Sequence, residues 1–186
     1  MRKGFFISFL FFISVSVIGQ KNDVAQLLIP EPVSVTSGTG NFVFTSKTPV
    51  HVLSTDASAK RVGEFLSKKI GKVTGYSVPV MVGSKNSEIN NGIKLSIIKD
   101  ESLGDEGYQL KVSAHEISIS ANKPAGLFYG MQSLFQLMPK EVEADTLVRN
   151  VEWNVPVCSI KDYPRFGWRG LMFDVSRHFF GKKDVE

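Results

Sequence analysis

Three segments near the middle of the chain alternate strictly between apolar and polar residues. They cover residues 93–97, 108–112 and 117–121. A period of two puts successive side chains on opposite faces of a strand, so each segment predicts a β-strand with one buried face and one solvated face. A short turn at Ala114 and His115 joins the last two. We therefore expect the three strands to form a meander.

Two other segments repeat their apolar residues at helical spacing. One covers residues 58–70, with Asp56 or Ser58 as its cap and Gly71 as its stop, and its apolar positions are Val62, Phe65, Leu66 and Ile70. The other begins at Pro124 and ends before Pro139. Its apolar stripe consists of Leu127, Phe128, Met131, Leu134, Phe135 and Met138.

The first part of the chain adds two short strand candidates, over 42–45 and 50–53, which we expect to pair as a hairpin. A sheet with one apolar face needs cover, and the two amphipathic helices provide it. The pattern thus predicts an α+β domain over residues 20–155, built as an antiparallel sheet covered by two helices.

The amino terminus has the order of a secretory signal peptide. Arg2 and Lys3 precede an apolar run over 5–18 that ends at the small residue Gly19. A membrane anchor is the alternative, but the run is shorter than the roughly 20 apolar residues that span a bilayer. We expect residues 1–19 to be removed, no stable membrane anchor, and a periplasmic, cell-surface or secreted protein.

Composition excludes several classes of function. The net charge of +4 falls to +2 once Arg2 and Lys3 are removed, which is no signature of nucleic-acid binding. His51 and His115 lack metal-ligand spacing, so we expect them to be structural or solvated and expect no metal or cofactor. The single Cys158 lies among apolar residues, which favours a buried structural thiol over a reactive one.

Chemically distinctive residues concentrate near the end of the sequence. Residues 156–163 are interpreted as a connector with a brief strand, and residues 171–173 as a continuous apolar strand buried on both faces. A helix start follows, as in the first β/α unit of a barrel or a doubly wound fold. Polar residues flank this predicted strand: Arg169, Asp174, Arg177 and His178.

Residues 168–179, together with 107–110 and 125–137, resemble the β-N-acetylhexosaminidases of glycoside hydrolase family 20. The likeness covers nearly the whole mature chain and implies a non-catalytic amino-terminal domain, then a linker and the first strand of a TIM barrel over 156–186. O-GlcNAc hydrolases share the helix motif. Their barrel opening carries Glu-Gly-Phe-Tyr-Gly after Arg-Gly, whereas Leu171 to Asp174 follow here, which favours hexosaminidase.

The resemblance implies removal of terminal N-acetylglucosamine or N-acetylgalactosamine from glycans by substrate-assisted, retaining hydrolysis. The family's general acid and its orienting aspartate form an Asp-Glu pair on a later barrel strand, and no barrel position of this sequence matches them. Asp105 and Glu106 are adjacent, but they precede Gly107 in the amino-terminal domain. We therefore expect a truncated or partial enzyme that is inactive alone. The alternative is a non-catalytic exported module that binds glycan or protein.

Arg169 matches the family's arginine that binds hydroxyls of the terminal sugar. The alternative is a structural arginine paired with Asp162 or Asp174. Asp174, Arg177 and His178 would support the sugar pocket, although an Asp174–Arg177 ion pair that only orders the loop is the interpretation favoured from the residues. Sugar preference, linkage and oligomeric state are left open by the sequence.

Overall fold

The computed structural model describes residues 24–83, 92–174 and 176–185, so the predicted signal peptide lies outside the described residues. Its strands form one seven-stranded sheet with the order β1-β7-β5-β6-β4-β2-β3. The strands are β1 (Ser34–Val43), β2 (Val50–Val52), β3 (Val80–Val82), β4 (Gly92–Ile97), β5 (Tyr108–Val112), β6 (Glu116–Ala121) and β7 (Asn154–Asp162). The helices are α1 (Ala57–Thr74), α2 (Pro124–Leu137) and the short α3 (Lys182–Val185).

The α+β class is confirmed, but the sheet is mixed and not antiparallel throughout. Strands β1, β7, β5 and β6 pair antiparallel, whereas β6, β4, β2 and β3 pair parallel. For β2 and β3 the physical reason is the connection through α1, because a strand that returns after a crossover helix enters the sheet parallel to the first. Strand β5 pairs with the other edge of β6, so the three alternating strands do not form a simple meander.

The expected hairpin between the strand candidates at 42–45 and 50–53 is wrong. Strand β1 pairs with β7, where Phe42 lies opposite Val155, and β2 lies between β3 and β4. Val50 and Val52 are completely buried. An interior position with partners on both sides suits such residues better than a half-exposed hairpin.

Both long helices form where their patterns predict them. The Asp56 carboxylate caps α1 by accepting from the backbone N–H groups of Ser58 (2.6 Å) and Ala59 (3.1 Å). The helix passes through Gly71 and ends at Gly75, whose φ of 72° is left-handed. Buried Val73 explains the extra turn, since its burial offsets the roughly 1 kcal/mol that a glycine costs inside a helix.

Helices α1 and α2 pack side by side against one face of the sheet. In β6 the alternation is clear, because Ile117 and Ile119 are fully buried while Ser118 and Ser120 are not. Cys158 is buried as expected, and burial raises the pKa of its thiol to about 11. Among the described residues, no helix is long and apolar enough to cross a membrane.

The carboxyl-terminal region differs from the sequence interpretation at two places. The expected connector contains most of β7, which pairs with β1 on one side and β5 on the other. Residues 171–173, predicted as a strand, have no regular secondary structure here. A barrel strand is held by ladders to neighbouring strands, and within the described residues no strand pairs with this one.

Candidate functional site

A tightly built turn precedes β5 and presents Glu106. Asp100 caps its 3₁₀ segment by accepting from the Ser102 backbone N–H at 3.0 Å. The Asn122 amide donates to the carbonyl oxygens of Asp100 and Gly104, each at 2.7 Å. These bonds tie the turn to the end of β6, so the backbone around Glu106 is fixed from several directions.

Two glycines allow this turn to close tightly on itself and to contact α2 directly. A Cβ at Gly107 would lie 2.2 Å from the Leu103 carbonyl oxygen, and a Cβ at Gly126 would lie 2.2 Å from the Gly107 carbonyl oxygen. Any side chain at either position would collide with backbone. The turn therefore packs against the first turn of α2, and Tyr129 lies one helical turn further along.

Glu106 joins the amino-terminal domain to Arg169. Its carboxylate accepts two hydrogen bonds from Nη2 of Arg169, at 2.9 and 3.0 Å, and a third from the Tyr129 hydroxyl at 3.3 Å. Nη1 of Arg169 donates to the carbonyl oxygen of Phe166 at 2.9 Å. The Arg169 partner is thus neither Asp162 nor Asp174, the two carboxylates that sequence reasoning offered.

The electrostatics of this cluster keep the arginine charged. The hydrogen bond to Glu106 raises the pKa of Arg169 above its ordinary value. Both side chains remain partly open to solvent, with 44% of Arg169 and 36% of Glu106 exposed. The adjacent Asp105 faces another way and pairs with Lys123 at 2.6 Å.

A groove of about 560 Å³ lies beside Arg169. On one side Gln136 fixes the chain at Ile29, accepting from its N–H at 2.8 Å and donating to its carbonyl oxygen at 3.1 Å. Tyr108 and Ser133 also line the groove, and their hydroxyls lie 2.5 Å apart. Burial raises the pKa of Tyr108 to about 12, so this hydroxyl stays protonated. The groove thus combines aromatic, amide, hydroxyl and guanidinium groups.

The other predicted residues lie apart from the groove. Asp174 pairs with Nε of Arg177 at 3.2 Å and accepts from the backbone N–H and hydroxyl of Ser176, which lower the pKa of Asp174. His178 stacks edge-on against Phe180 with centroids 5.0 Å apart. The structure therefore contains the ion pair that the sequence suggested, and a supporting role at a sugar pocket stays a prediction.

Sequence reasoning missed Glu106. The adjacent Asp105 and Glu106 invite comparison only with a catalytic Asp-Glu pair, and Glu106 precedes β5, far from Arg169 in the sequence. The signal that could have found it is the glycine spacing, because Gly107 and Gly126 mark a close backbone approach that fixes the neighbouring side chain. No sequence period links Glu106 to a residue 63 positions later.

A family model described as "Glycosyl hydrolase family 20, domain 2" matches residues 25–163. Among curated relatives, a Beta-hexosaminidase of Porphyromonas gingivalis is 34% identical over 159 residues, which is 86% of this chain and 20% of that protein. A Beta-N-acetylhexosaminidase of Cellulomonas fimi is 33% identical over 165 residues, covering 88% of this chain and 31% of that protein. The chain belongs to glycosyl hydrolase family 20.

Solved structures agree with this assignment. The family 20 β-N-acetylhexosaminidase of Streptomyces coelicolor A3(2) matches with a TM-score of 0.76 and 38% identity, over 87% of this chain and 31% of that one. A chitobiase of Flavobacterium johnsoniae matches with a TM-score of 0.64 and 30% identity, over 82% and 23%. The chain thus spans less than a third of the length of each of these four relatives.

Proposed function

We propose that this chain is the amino-terminal part of an exported exo-β-N-acetylhexosaminidase that removes terminal N-acetylglucosamine or N-acetylgalactosamine from glycans. The family match over residues 25–163 carries the proposal. It is supported by a Streptomyces plicatus beta-hexosaminidase, 38% identical, whose structure holds GlcNAc as product. Glycans ending in an N-acetylhexosamine are therefore the proposed substrate class.

Arg169 is the residue of this chain proposed to contact the sugar. A guanidinium offers five N–H donors in a fixed plane and stays protonated. Three of its donors are used by Glu106 and Phe166, which leaves at most two for vicinal sugar hydroxyls. These donors would orient the terminal sugar without taking part in bond breaking.

The proposed reaction proceeds in two steps at the anomeric carbon. The 2-acetamido oxygen of the substrate bonds to that carbon as the glycosidic bond breaks, and a glutamic acid protonates the leaving oxygen. Water then attacks the anomeric carbon as it gives a proton back to the glutamate, and the acetamido oxygen leaves, so two inversions give net retention. The acid and the aspartate that orients the acetamide are assigned to a catalytic barrel, and Asp105 and Glu106 are not these residues.

The test is hydrolysis of an aryl N-acetyl-β-glucosaminide by a protein that carries this chain ahead of a family 20 barrel. Arg169→Ala should lower kcat/KM by about 10- to 100-fold, because it removes charged hydrogen bonds to substrate. Arg61→Ala is the matched control, since Arg61 lies on α1 and bonds only locally to Ser58 in the described contacts. Equal kcat/KM for wild type and Arg169→Ala would remove Arg169 from the substrate site.

Export is the second element of the proposal. It is supported by the order of charged, apolar and small residues over 1–19. Mass spectrometry of the protein isolated outside the cytoplasm should give a mature terminus near Gln20. Retention of residues 5–18 in a membrane fraction would contradict it.

A second candidate function is glycan binding by the chain itself, and the groove beside Arg169 is the observation that favours it. Tyr129 and Tyr163 border the groove, and aromatic rings with nearby amides form a surface on which a sugar can stack and hydrogen-bond. Calorimetric titration of the 186-residue chain with N-acetylglucosamine oligomers tests this. Heat of binding that Tyr163→Ala abolishes would support it, and no heat at millimolar ligand would exclude it.

A further inference from the structure

We infer that an exposed aromatic patch on the outer side of α1 and α2 is the surface through which this domain binds the catalytic barrel of the same protein. The patch consists of Phe65, Phe128 and Tyr129. The inference rests on the proposed function, which places a family 20 barrel after this domain. It gives the two helices an outer contact in addition to their cover of the sheet.

The three rings of the aromatic patch form one continuous surface. The ring centroids of Phe65 and Phe128 lie 6.4 Å apart, and those of Phe128 and Tyr129 lie 6.0 Å apart. Phe65 is 49% exposed, Phe128 41% and Tyr129 38%. Single exposed apolar residues are normal on a protein surface, but contiguous large rings mark a surface that binds another molecule.

Helix α2 has the composition of a helix that is covered on both sides. None of its 14 residues carries a charge, whereas the neighbouring α1 has exposed charged side chains. On the inner side of α2, Gly130 lets the helix approach the sheet so closely that a Cβ there would lie 2.6 Å from Ile119. The inner side is thus filled without Phe128 and Tyr129. A helix that is largely apolar all round is normally buried.

The chemistry beside the aromatic patch favours a protein surface as its occupant. The outward side of α2 continues with Gln132, whose amide donates and accepts hydrogen bonds without a charge. The helix offers no cation to the phosphate of a lipid head group. Aromatic rings beside an uncharged amide are typical of the centre of a protein interface, where charged residues are depleted.

The chain leaves the sheet on the side of the aromatic patch. Strand β7 ends at Asp162, whose carboxylate accepts from the Val33 backbone N–H at 3.1 Å. Asp162 and the next residue, Tyr163, line the same groove as Tyr129 and Gln132 of α2. A domain connected at this point therefore starts beside the helices. This continuity favours the barrel as the occupant over a separate partner.

The other face of the sheet has the character of a solvated surface. Lys94, Ser118 and Lys111 lie side by side across β4, β6 and β5. Val43 is on this face too, because it follows Phe42, which is completely buried on the helix side, and it is 55% exposed. Val43 thus provides a control that is as exposed as the aromatic patch and lies on the opposite side of the sheet.

The test compares thermal unfolding of the 186-residue chain with that of a longer protein that carries this chain ahead of a family 20 barrel. Phe128→Glu puts a carboxylate into the inferred interface and should lower the first unfolding transition of the longer protein by about 5 °C. In the 186-residue chain the same residue remains in water, so the shift should be less than about 2 °C. Phe65→Glu should give the same pattern, and Val43→Glu should leave both proteins unchanged.

Three results would overturn the inference. An equal loss in both proteins would show that Phe128 belongs to the core of the domain, and no loss in either would show that the aromatic patch stays in water. The third is a 186-residue chain that sedimentation velocity shows to be a dimer and that Phe128→Glu makes monomeric, while the longer variant melts like wild type. The aromatic patch would then bind a second copy of the chain.

An activity measurement distinguishes failure of this inference from failure of the proposed function. If the longer protein hydrolyses an aryl N-acetyl-β-glucosaminide and its Phe128→Glu variant melts like wild type, the function stands and the interface is refuted. If the longer protein is inactive but Phe128→Glu destabilises it alone, the function is refuted and the interface is supported.

Discussion

The described parts of residues 24–162 and of residues 163–185 differ in how far they bury their apolar side chains. In the first region, Phe42, Ile119 and Leu134 are completely buried between sheet and helices. In the second, Leu171 and Met172 are 88% and 91% exposed, and Trp168 is 84% exposed. The two regions do not differ in their supply of apolar residues.

The difference shows what an apolar run requires before it can be buried. Each strand of the sheet has a hydrogen-bonded neighbour and a helix or strand that covers its apolar face. Residues 171–173 have the composition of a strand buried on both faces, but no strand of the described residues pairs with them. An apolar segment of this kind is buried only where neighbouring strands pair with it and other elements cover both of its faces.

The largest expected effect comes from placing a carboxylate in each region. Leu134→Asp buries an unpaired charge and should cost on the order of 5 kcal/mol, enough to unfold a marginal domain. Leu171→Asp is the matched control and should leave the thermal unfolding of the domain unchanged. Circular dichroism melts of both variants measure this. A native melt for Leu134→Asp would show that α2 does not cover the core as described.

Replacing one glycine of each region by alanine repeats the comparison with a smaller expected effect on stability. Gly126→Ala places a carbon 2.2 Å from the Gly107 carbonyl oxygen. The collision should cost more than the roughly 1 kcal/mol of helix propensity gained, with a net loss of about 2 kcal/mol. Gly167→Ala meets nothing within 4 Å and should be neutral. Urea unfolding of the two variants gives the difference, and equal midpoints would contradict the close contact.

Local patterns were sufficient to predict both helices and the three alternating strands. Period and capping residues are local signals, so α1 began at its predicted cap and α2 at Pro124. Strand order was not predictable in this way, because a strand's partners depend on where the chain returns to the sheet, as it does through α1 between β2 and β3. The length of β7 was predicted too short for the same reason, since its partners β1 and β5 are distant in sequence.

The candidate site shows the same limit of local sequence patterns. Arg169 was identified through the family resemblance, and its partner was sought among nearby carboxylates. Glu106 lies 63 residues earlier, and only the folded turn brings it to the guanidinium. A residue's chemistry can be inferred from its type, whereas its partner depends on contacts between distant parts of the chain.

The stability of the first region should depend on the protonation of His51. The pKa of His51 lies below the ordinary imidazole value because burial disfavours its cation and Lys94 adds a like charge. Its Nδ1 is buried and has no hydrogen-bond partner among the described residues. Lys94 lies opposite His51 on the neighbouring strand β4 and is itself paired with Glu116 at 2.8 Å.

The sign of the pH effect follows from the direction of the shift. The unfolded chain takes up this proton near pH 6.5 and the folded domain only at lower pH, so the stability contributed by neutral His51 is present above about pH 6.5 and declines below it. Melting temperatures at about pH 7.5 and 5.5 should differ less in His51→Gln than in wild type. His178→Gln, in the carboxyl-terminal region, should keep the wild-type difference. A wild-type difference retained in His51→Gln would exclude this histidine as its source.

The smallest expected effect on stability comes from the ion pair that connects the two regions. Glu106→Gln should change the melting temperature by no more than about 3 °C, because the pair is partly solvated and exposed pairs contribute little. It should nevertheless speed amide hydrogen exchange in residues 163–169, which the Glu106–Arg169 contact ties to the domain. Asp105→Asn should leave that exchange unchanged. Faster exchange throughout the sheet would mean that Glu106 supports the whole domain. Faster exchange confined to residues 163–169 would show that the Glu106 carboxylate holds this segment against the domain, and that its loss leaves the domain itself intact.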